Sequence, residues 1–234
     1  MCGIIRPIII LEEIVLREQI INTVREKKII VIARGIEKEK LIPLTEALYK
    51  GGIRLLETTY SSNGKISDEE TAENIKILSS HFNGRMYIGA GTVLTEKQVE
   101  LTKKAGGKFI ISPDTNGVVI KKTRELGMVS IPGALTPSEV QSAHLYGADF
   151  VKLFPVCSFG TEYVKLIKTP LSHIELLAVG GINQNDMGEY LSAGISGFCI
   201  GSNIIDKQAL EENNYKAITE LARKFVSVAN SEIQ

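Results

Sequence analysis

One lysine in this sequence occupies a position where a lysine is costly. In the strand-like run Asp149-Phe150-Val151-Lys152-Leu153-Phe154, alternate side chains face opposite ways, so Val151 and Leu153 share one apolar face. Lys152 then shares the other face with Phe150 and Phe154, and in a closed barrel that face points inward. Burial there disfavours a charged side chain. A neutral amine is the form that attacks a ketone to give an imine. The rival reading is a structural ion pair, or a side chain snorkelling outward; strand parity and the flanking aromatics argue against it.

The same parity places Glu57 on a face with Ile53 and Leu55, at the C-terminal end of Ile53-Arg54-Leu55-Leu56-Glu57-Thr58. Arg34 ends an earlier strand-like run on a face with Ile30 and Ile32, and Thr92 follows Gly89-Ala90-Gly91. Glu57 and Arg34 alone would suit a satisfied ion pair. An acid, an amine, a guanidinium and a hydroxyl at corresponding strand ends form a candidate catalytic constellation. Two later strands end in Val179-Gly180-Gly181-Ile182-Asn183 and Ile200-Gly201-Ser202-Asn203. Glycines there let backbone N–H groups approach an anion, and a helix N-terminus following each would add a favourable dipole. Tight turns explain a glycine pair about as well. Placement after the seventh and eighth strands favours a phosphate site.

The elements that must position these residues alternate regularly. Strand-like runs cover Lys28–Arg34, Ile53–Thr58, Met86–Ala90, Lys108–Ser112, Met128–Ile131, Asp149–Phe154, Glu175–Val179 and Gly197–Ile200. Helical periodicity covers Glu37–Lys50, Asp68–Phe82, Glu96–Ala105, Pro137–Tyr146 and Asn185–Ala193, with a last helix around Ala217–Val228. Glycines close several helices, as at Gly51-Gly52, Gly106-Gly107, Gly127, Gly147 and Gly194. Short βα units without a Pro/Ser-rich linker fit a (β/α)8 TIM barrel, an α/β fold of about 250 residues, better than an open sheet. The expectation is one barrel domain, residues 28–234, after an N-terminal extension, residues 1–27. Within that extension Ile14–Lys27 reads as an amphipathic helix, with Ile14, Ile20, Ile21 and Val24 apolar, that closes the barrel bottom or packs at a subunit contact.

Composition limits the partners. The 234 residues carry 27 Lys plus Arg against 27 Asp plus Glu, so no global field draws in nucleic acid or an anionic membrane. Any bound anion needs a local site. Cys2, Cys157 and Cys199 are odd in number and lack disulfide or zinc spacing, so they read as free thiols in a reducing compartment. Ile8–Ile10 is too short to span a membrane and has no cleavage site after it, which makes the cytoplasm the default location. His81, His144 and His173 fall in helices or connections away from the strand ends, and no metal or organic cofactor is expected.

With these residues in place, the chain resembles the class I 2-keto-3-deoxy-6-phosphogluconate (KDPG) / 4-hydroxy-2-oxoglutarate (KHG) aldolases. The likeness runs in order through Ile32-Ala33-Arg34-Gly35, Leu56-Glu57-Thr58-Thr59, Ile88-Gly89-Ala90-Gly91-Thr92-Val93, Ile111-Ser112-Pro113, Ile131-Pro132-Gly133, Val151-Lys152-Leu153-Phe154-Pro155, Gly180-Gly181-Ile182 and Ile200-Gly201-Ser202. The resemblance implies Lys152 as the Schiff-base residue and Glu57 as general acid/base. It also implies Arg34 and Thr92 on the substrate carboxylate, Phe154 packed over pyruvate, Pro113 in the substrate site, and a phosphate near Gly180, Gly181, Gly201 and Ser202. A homotrimer acting on a small 2-keto acid is the implied assembly. Two positions depart from the pattern: Ser61 stands where many members have an arginine, and Ile200-Gly201-Ser202 where many read Gly-Gly-Ser.

The expected reaction is cleavage of KDPG to pyruvate and glyceraldehyde 3-phosphate, of 4-hydroxy-2-oxoglutarate to pyruvate and glyoxylate, or of both. The alternatives are a non-catalytic phosphosugar-binding barrel and a phosphosugar isomerase or epimerase. Neither accounts for an inward lysine with an acid close by.

Overall fold

The computed structural model describes residues 5–231, with side chains from residue 13 onward; Cys2 lies outside the described residues. Nine parallel strand segments form one sheet: β1 (Ile29–Ala33), β2 (Leu55–Thr59), β3 (Tyr87–Gly91), β4 (Phe109–Ile111), β5 (Val129–Ile131), β6 (Gly133–Ala134), β7 (Val151–Leu153), β8 (Leu176–Val179) and β9 (Gly197–Ile200). Their order is β5-β4-β3-β2-β1-β9-β8-β7-β6. The short segments β5 and β6 flank Pro132, which has no N–H for a ladder. Together they act as one stave that pairs β4 on one side and β7 on the other. Bonds from Asp149 N to Ser130 O (2.9 Å) and from Lys152 N to Pro132 O (2.8 Å) carry the ring past that proline. The expected eight staves are present.

Strand parity sorts the core as the alternation implies. Leu55, Phe109, Phe150 and Leu177 meet inside the barrel, while Val31, Leu56, Val151 and Leu153 pack outward beneath the helices. Ile53 departs from the expected pattern. It precedes β2 and joins the outer layer, so Glu57 shares its inward face with Leu55 alone of the two.

The helices are α1 (Ile5–Lys27), α2 (Lys38–Lys50), α3 (Asp68–His81), α4 (Glu96–Lys104), α5 (Gly117–Glu125), α6 (Pro137–Leu145), α7 (Gly160–Lys168), α8 (Met187–Ser192), α9 (Lys207–Glu211) and α10 (Tyr215–Asn230). Local signals explain their starts. Ser67 accepts from the Glu70 N–H ahead of three acidic residues in α3, and Thr136 with Glu139 forms a reciprocal capping box on α6. Helix α9 falls outside the expected helical runs, and so do α5 and α7. The latter two begin at a glycine, and Val118-Val119 resembles a strand, but Asn116 caps α5 by accepting from the Val118 and Val119 amides.

Helix α1 starts earlier than the periodicity suggested and closes the N-terminal mouth. Ile20, Ile21 and Val24 enter the inner core, whereas Ile14 is exposed and does not belong to the buried face. Polar ties hold the helix there: Arg17 to Asp149, and Arg25 to Glu175 (2.6 Å). Among the described residues, no helix is long and apolar enough to cross a membrane.

Candidate active site

With the N-terminal end plugged, chemistry is left to the C-terminal mouth, where a cavity of about 890 Å³ opens. Arg34, Thr92, Pro113, Lys152, Phe154, Gly180, Gly181, Gly201 and Ser202 all line it. Of the residues expected at the site, Glu57 alone does not; it lies in the barrel wall beneath.

Lys152 sits at the centre of β7, its residue 8% exposed, with Nζ 4.8 Å from the centroid of the Phe154 ring. Among the described residues, Nζ has no hydrogen-bond or ion-pair partner, so the structural ion-pair reading does not describe this lysine. The barrel supplies an amine at the cavity floor with an aromatic face beside it.

Glu57 is registered between Ile32 of β1 and Gly89 of β3, and is 2% exposed. Room for its carboxyl comes from Gly91, where a Cβ would stand 2.3 Å from Oε1. Oε2 has no hydrogen-bond partner among the described residues. Burial pushes the carboxyl up to about 7, against the opposing pull of Lys152 and Arg34. A carboxyl poised there exchanges protons readily in either direction near neutral pH.

Arg34 follows β1 directly, and its Nη2 donates to Thr92 Oγ1 at 3.3 Å. Thr92 has φ +57°, a left-handed conformation that costs a β-branched residue on the order of 1 kcal/mol or more. That strained turn sets the hydroxyl beside the guanidinium. Ser61 does not take the place of a cation; its hydroxyl donates to Asn63 Oδ1 (2.7 Å) inside its own loop.

Gly180 and Gly181 both have positive φ, +99° and +76°. A Cβ on Gly181 would come 2.8 Å from Cys157 Sγ, so this turn admits only glycine without rearrangement. The anticipated helix N-termini do not follow at once, because α8 and α9 start only at Met187 and Lys207. Instead the Ile204 and Ile205 amides bond to Gly201 O (both 3.0 Å). Among the described residues, the Ser202 and Asn203 N–H groups have no acceptor. Asn203 Nδ2 donates to Ile182 O (2.8 Å), tying the two glycine turns together.

Cys199 also lines the cavity. Burial and the nearby Glu57 push its thiol up, which keeps it protonated. Its inward position follows from parity in β9, which its character as a free thiol does not reveal. Lys40 and Lys207 line the cavity too and were missed, because both lie in helices and outside the strand ends. The histidines stay outside: His81 contacts Glu46 (3.0 Å), and the His144 and His173 rings meet edge to face. Among the described residues, no group of three or more metal-ligating side chains forms.

An unpaired amine and a buried carboxyl of near-neutral pKa, at the open end of a parallel barrel, make the apparatus of imine-forming carbon–carbon lyases. The sequence pattern of KDPG and KHG aldolases matches residues 20–221. A 2-dehydro-3-deoxy-phosphogluconate aldolase of Haemophilus influenzae is 30% identical over 212 residues, covering 90% of this chain and 97% of that protein. A KHG/KDPG aldolase of Escherichia coli is 32% identical over 193 residues, covering 82% and 87%. The KDPG aldolase of Legionella pneumophila, solved with pyruvate captured as a covalent carbinolamine, superposes with a TM-score of 0.75 at 29% identity, over 84% of this chain and 93% of that one. The chain belongs to the KDPG and KHG aldolase family, and with it to the class I aldolases.

Proposed function

We propose that this aldolase cleaves KDPG to pyruvate and glyceraldehyde 3-phosphate, and accepts 4-hydroxy-2-oxoglutarate, giving pyruvate and glyoxylate. The observation that carries this reading is Lys152 Nζ, without a hydrogen-bond or ion-pair partner among the described residues, lining the cavity beside Phe154 and within electrostatic reach of the buried Glu57. Neutral Lys152 adds to the keto carbon, and loss of water leaves a protonated imine. Glu57, directly or through a water, takes the proton from the C4 hydroxyl. The C3–C4 bond breaks, its electron pair moves into the imine as an enamine, and the aldehyde departs. Glu57 returns the proton to C3, and water hydrolyses the imine to release pyruvate and the amine. No metal takes part in this scheme.

Arg34 and Thr92 hold the substrate carboxylate, while Phe154 and Pro113 flank the three-carbon unit. Gly180, Gly181, Gly201 and Ser202 receive the phosphate. This placement is supported by the Arg34–Thr92 contact and the unpaired amides of the second glycine turn. We further assign residues 28–234 to one barrel domain closed by the 1–27 extension, since Ile20, Ile21 and Val24 of α1 complete the inner core. Its setting is carbohydrate breakdown of the Entner–Doudoroff type in the cytoplasm. A homotrimer fits the exposed apolar Val118, Leu145 and Tyr146 on the outer helices. The non-catalytic and isomerase readings are not favoured, as neither uses an unpaired amine.

Pyruvate with borohydride should add one adduct that maps to Lys152. An unmodified chain, or an adduct on Lys165 or Lys168, would overturn the mechanism. For the phosphate, kcat/KM should favour KDPG over its unphosphorylated counterpart by about tenfold or more, since each charge-assisted hydrogen bond contributes roughly 1.5–3 kcal/mol. Equal values for KDPG, the unphosphorylated acid and 4-hydroxy-2-oxoglutarate would reduce the glycine site to a turn.

A further inference from the structure

Lys40 has no part in the imine chemistry, yet it lines the same cavity as Lys152. It lies in the first turn of α2, where the positive end of the helix dipole disfavours a cation, so helix stability does not account for it. Its side chain is 23% exposed, while its ion-pair partner Glu37, 3.2 Å away, is 69% exposed. An exposed carboxylate at that distance neutralises the ammonium weakly. The cavity lining holds four cations (Arg34, Lys40, Lys152, Lys207) against two carboxylates (Glu37, Glu211). Arg34 is engaged with Thr92, and Ser61 bonds within its own loop. Lys207 is 89% exposed beside Glu211 (3.7 Å), so of the cations other than Lys152 and Arg34 it is Lys40 that the cavity partly encloses.

We propose that Lys40 determines specificity by holding the anionic group at the aldehyde end of the substrate, a phosphate monoester dianion, together with the Ser202 and Asn203 amides. This rests on the aldolase reading above and adds to it the residue that supplies the charge. A lysine suits the role because its ammonium binds phosphate as a point charge from a flexible stem.

Steady-state kinetics of Lys40→Met on KDPG and on its unphosphorylated counterpart test the proposal. KM for the phosphorylated substrate should rise about tenfold or more, with kcat and the unphosphorylated substrate nearly unchanged. Lys40→Arg should restore most of that KM. Glu37→Gln, which frees Lys40 from its carboxylate, should lower it by about two- to threefold. An unchanged preference between the two substrates in Lys40→Met, or a raised KM in Glu37→Gln, overturns the proposal. Trapping of pyruvate by borohydride in Lys40→Met at the wild-type yield shows that the imine chemistry is intact. A wild-type protein that fails to trap pyruvate sinks the aldolase reading and this inference together; one that traps it but is indifferent to phosphate sinks this inference and the glycine phosphate site, and leaves the imine chemistry standing.

Discussion

Two carboxyls lie buried at opposite ends of the barrel, and they are provided for in opposite ways. At the closed end, Asp149 has a side chain 6% exposed, yet it accepts from Arg17, from Arg124 Nη1 (2.8 Å) and from the Ser130 amide (2.9 Å). At the open end, Glu57 is buried more deeply still, and one of its oxygens has no partner among the described residues. Burial pushes both upward, Asp149 to about 6 and Glu57 to about 7. The fold can satisfy a buried carboxylate when stability needs it, and at Glu57 it leaves one unsatisfied where a proton must move.

The largest test of that contrast is at the open end. Lys152→Ala should lose activity by several orders of magnitude, because the covalent route itself is removed, and should fold normally, since Nζ has no partner to lose. Circular dichroism with a turnover assay checks both. Next, Glu57→Gln should cost about 10² to 10⁴ in rate while pyruvate trapping partly survives. Unchanged turnover would make Glu57 a second Asp149, a structural carboxylate, and erase the distinction.

At the closed end the expected effects reverse. Asp149→Ala takes the carboxylate from the largely buried Arg17 and from the Ser130 amide, leaving Arg124 to solvent, and should cost about 3 kcal/mol of stability with kcat/KM held. Denaturant unfolding beside kinetics measures it. A large loss of activity at wild-type stability would mean that the closed end reaches the chemistry.

The open end was largely legible in the sequence; of the closed end, the apolar face of the helix that plugs it was legible and its polar ties were not. Lys152, Glu57 and Arg34 follow from strand parity, because period two fixes which face a residue takes once a barrel is assumed. The Arg17–Asp149 contact joins residues 132 positions apart. No local pattern announces it; it exists only because α1 lies across the strand starts. Ile53 breaks the parity because it precedes β2, where alternation extended past the strand end fails, whereas Ile14 lies well inside α1 on its exposed side. Lys40 and Lys207 escaped notice because a lysine in a helix reads as solvated surface until the helix is seen at a cavity rim.

The smallest predicted effect isolates Glu57 by its protons. Its folded carboxyl is raised from the ordinary 4.5 to about 7, so between these values the native state holds a proton that the unfolded chain releases. A native state that binds more protons gains stability as pH falls. From pH 8 to about 5.5 the wild-type protein should therefore gain about 2 kcal/mol relative to Glu57→Gln, whose amide does not titrate. Above pH 8 the cost of burying the charge is fully present, and the variant should be the more stable of the two. Taking the difference between the two proteins at each pH cancels the groups that do not interact with Glu57, Asp149 among them. Activity should report the same group, as an acidic limb of kcat/KM near pH 7 that Asp149→Asn leaves in place. A stability difference that stays flat from pH 8 to 5.5 would mean that Glu57 is ionised throughout. The orphaned oxygen would then have a partner in solution, and the two ends of the barrel would differ less than their geometry implies.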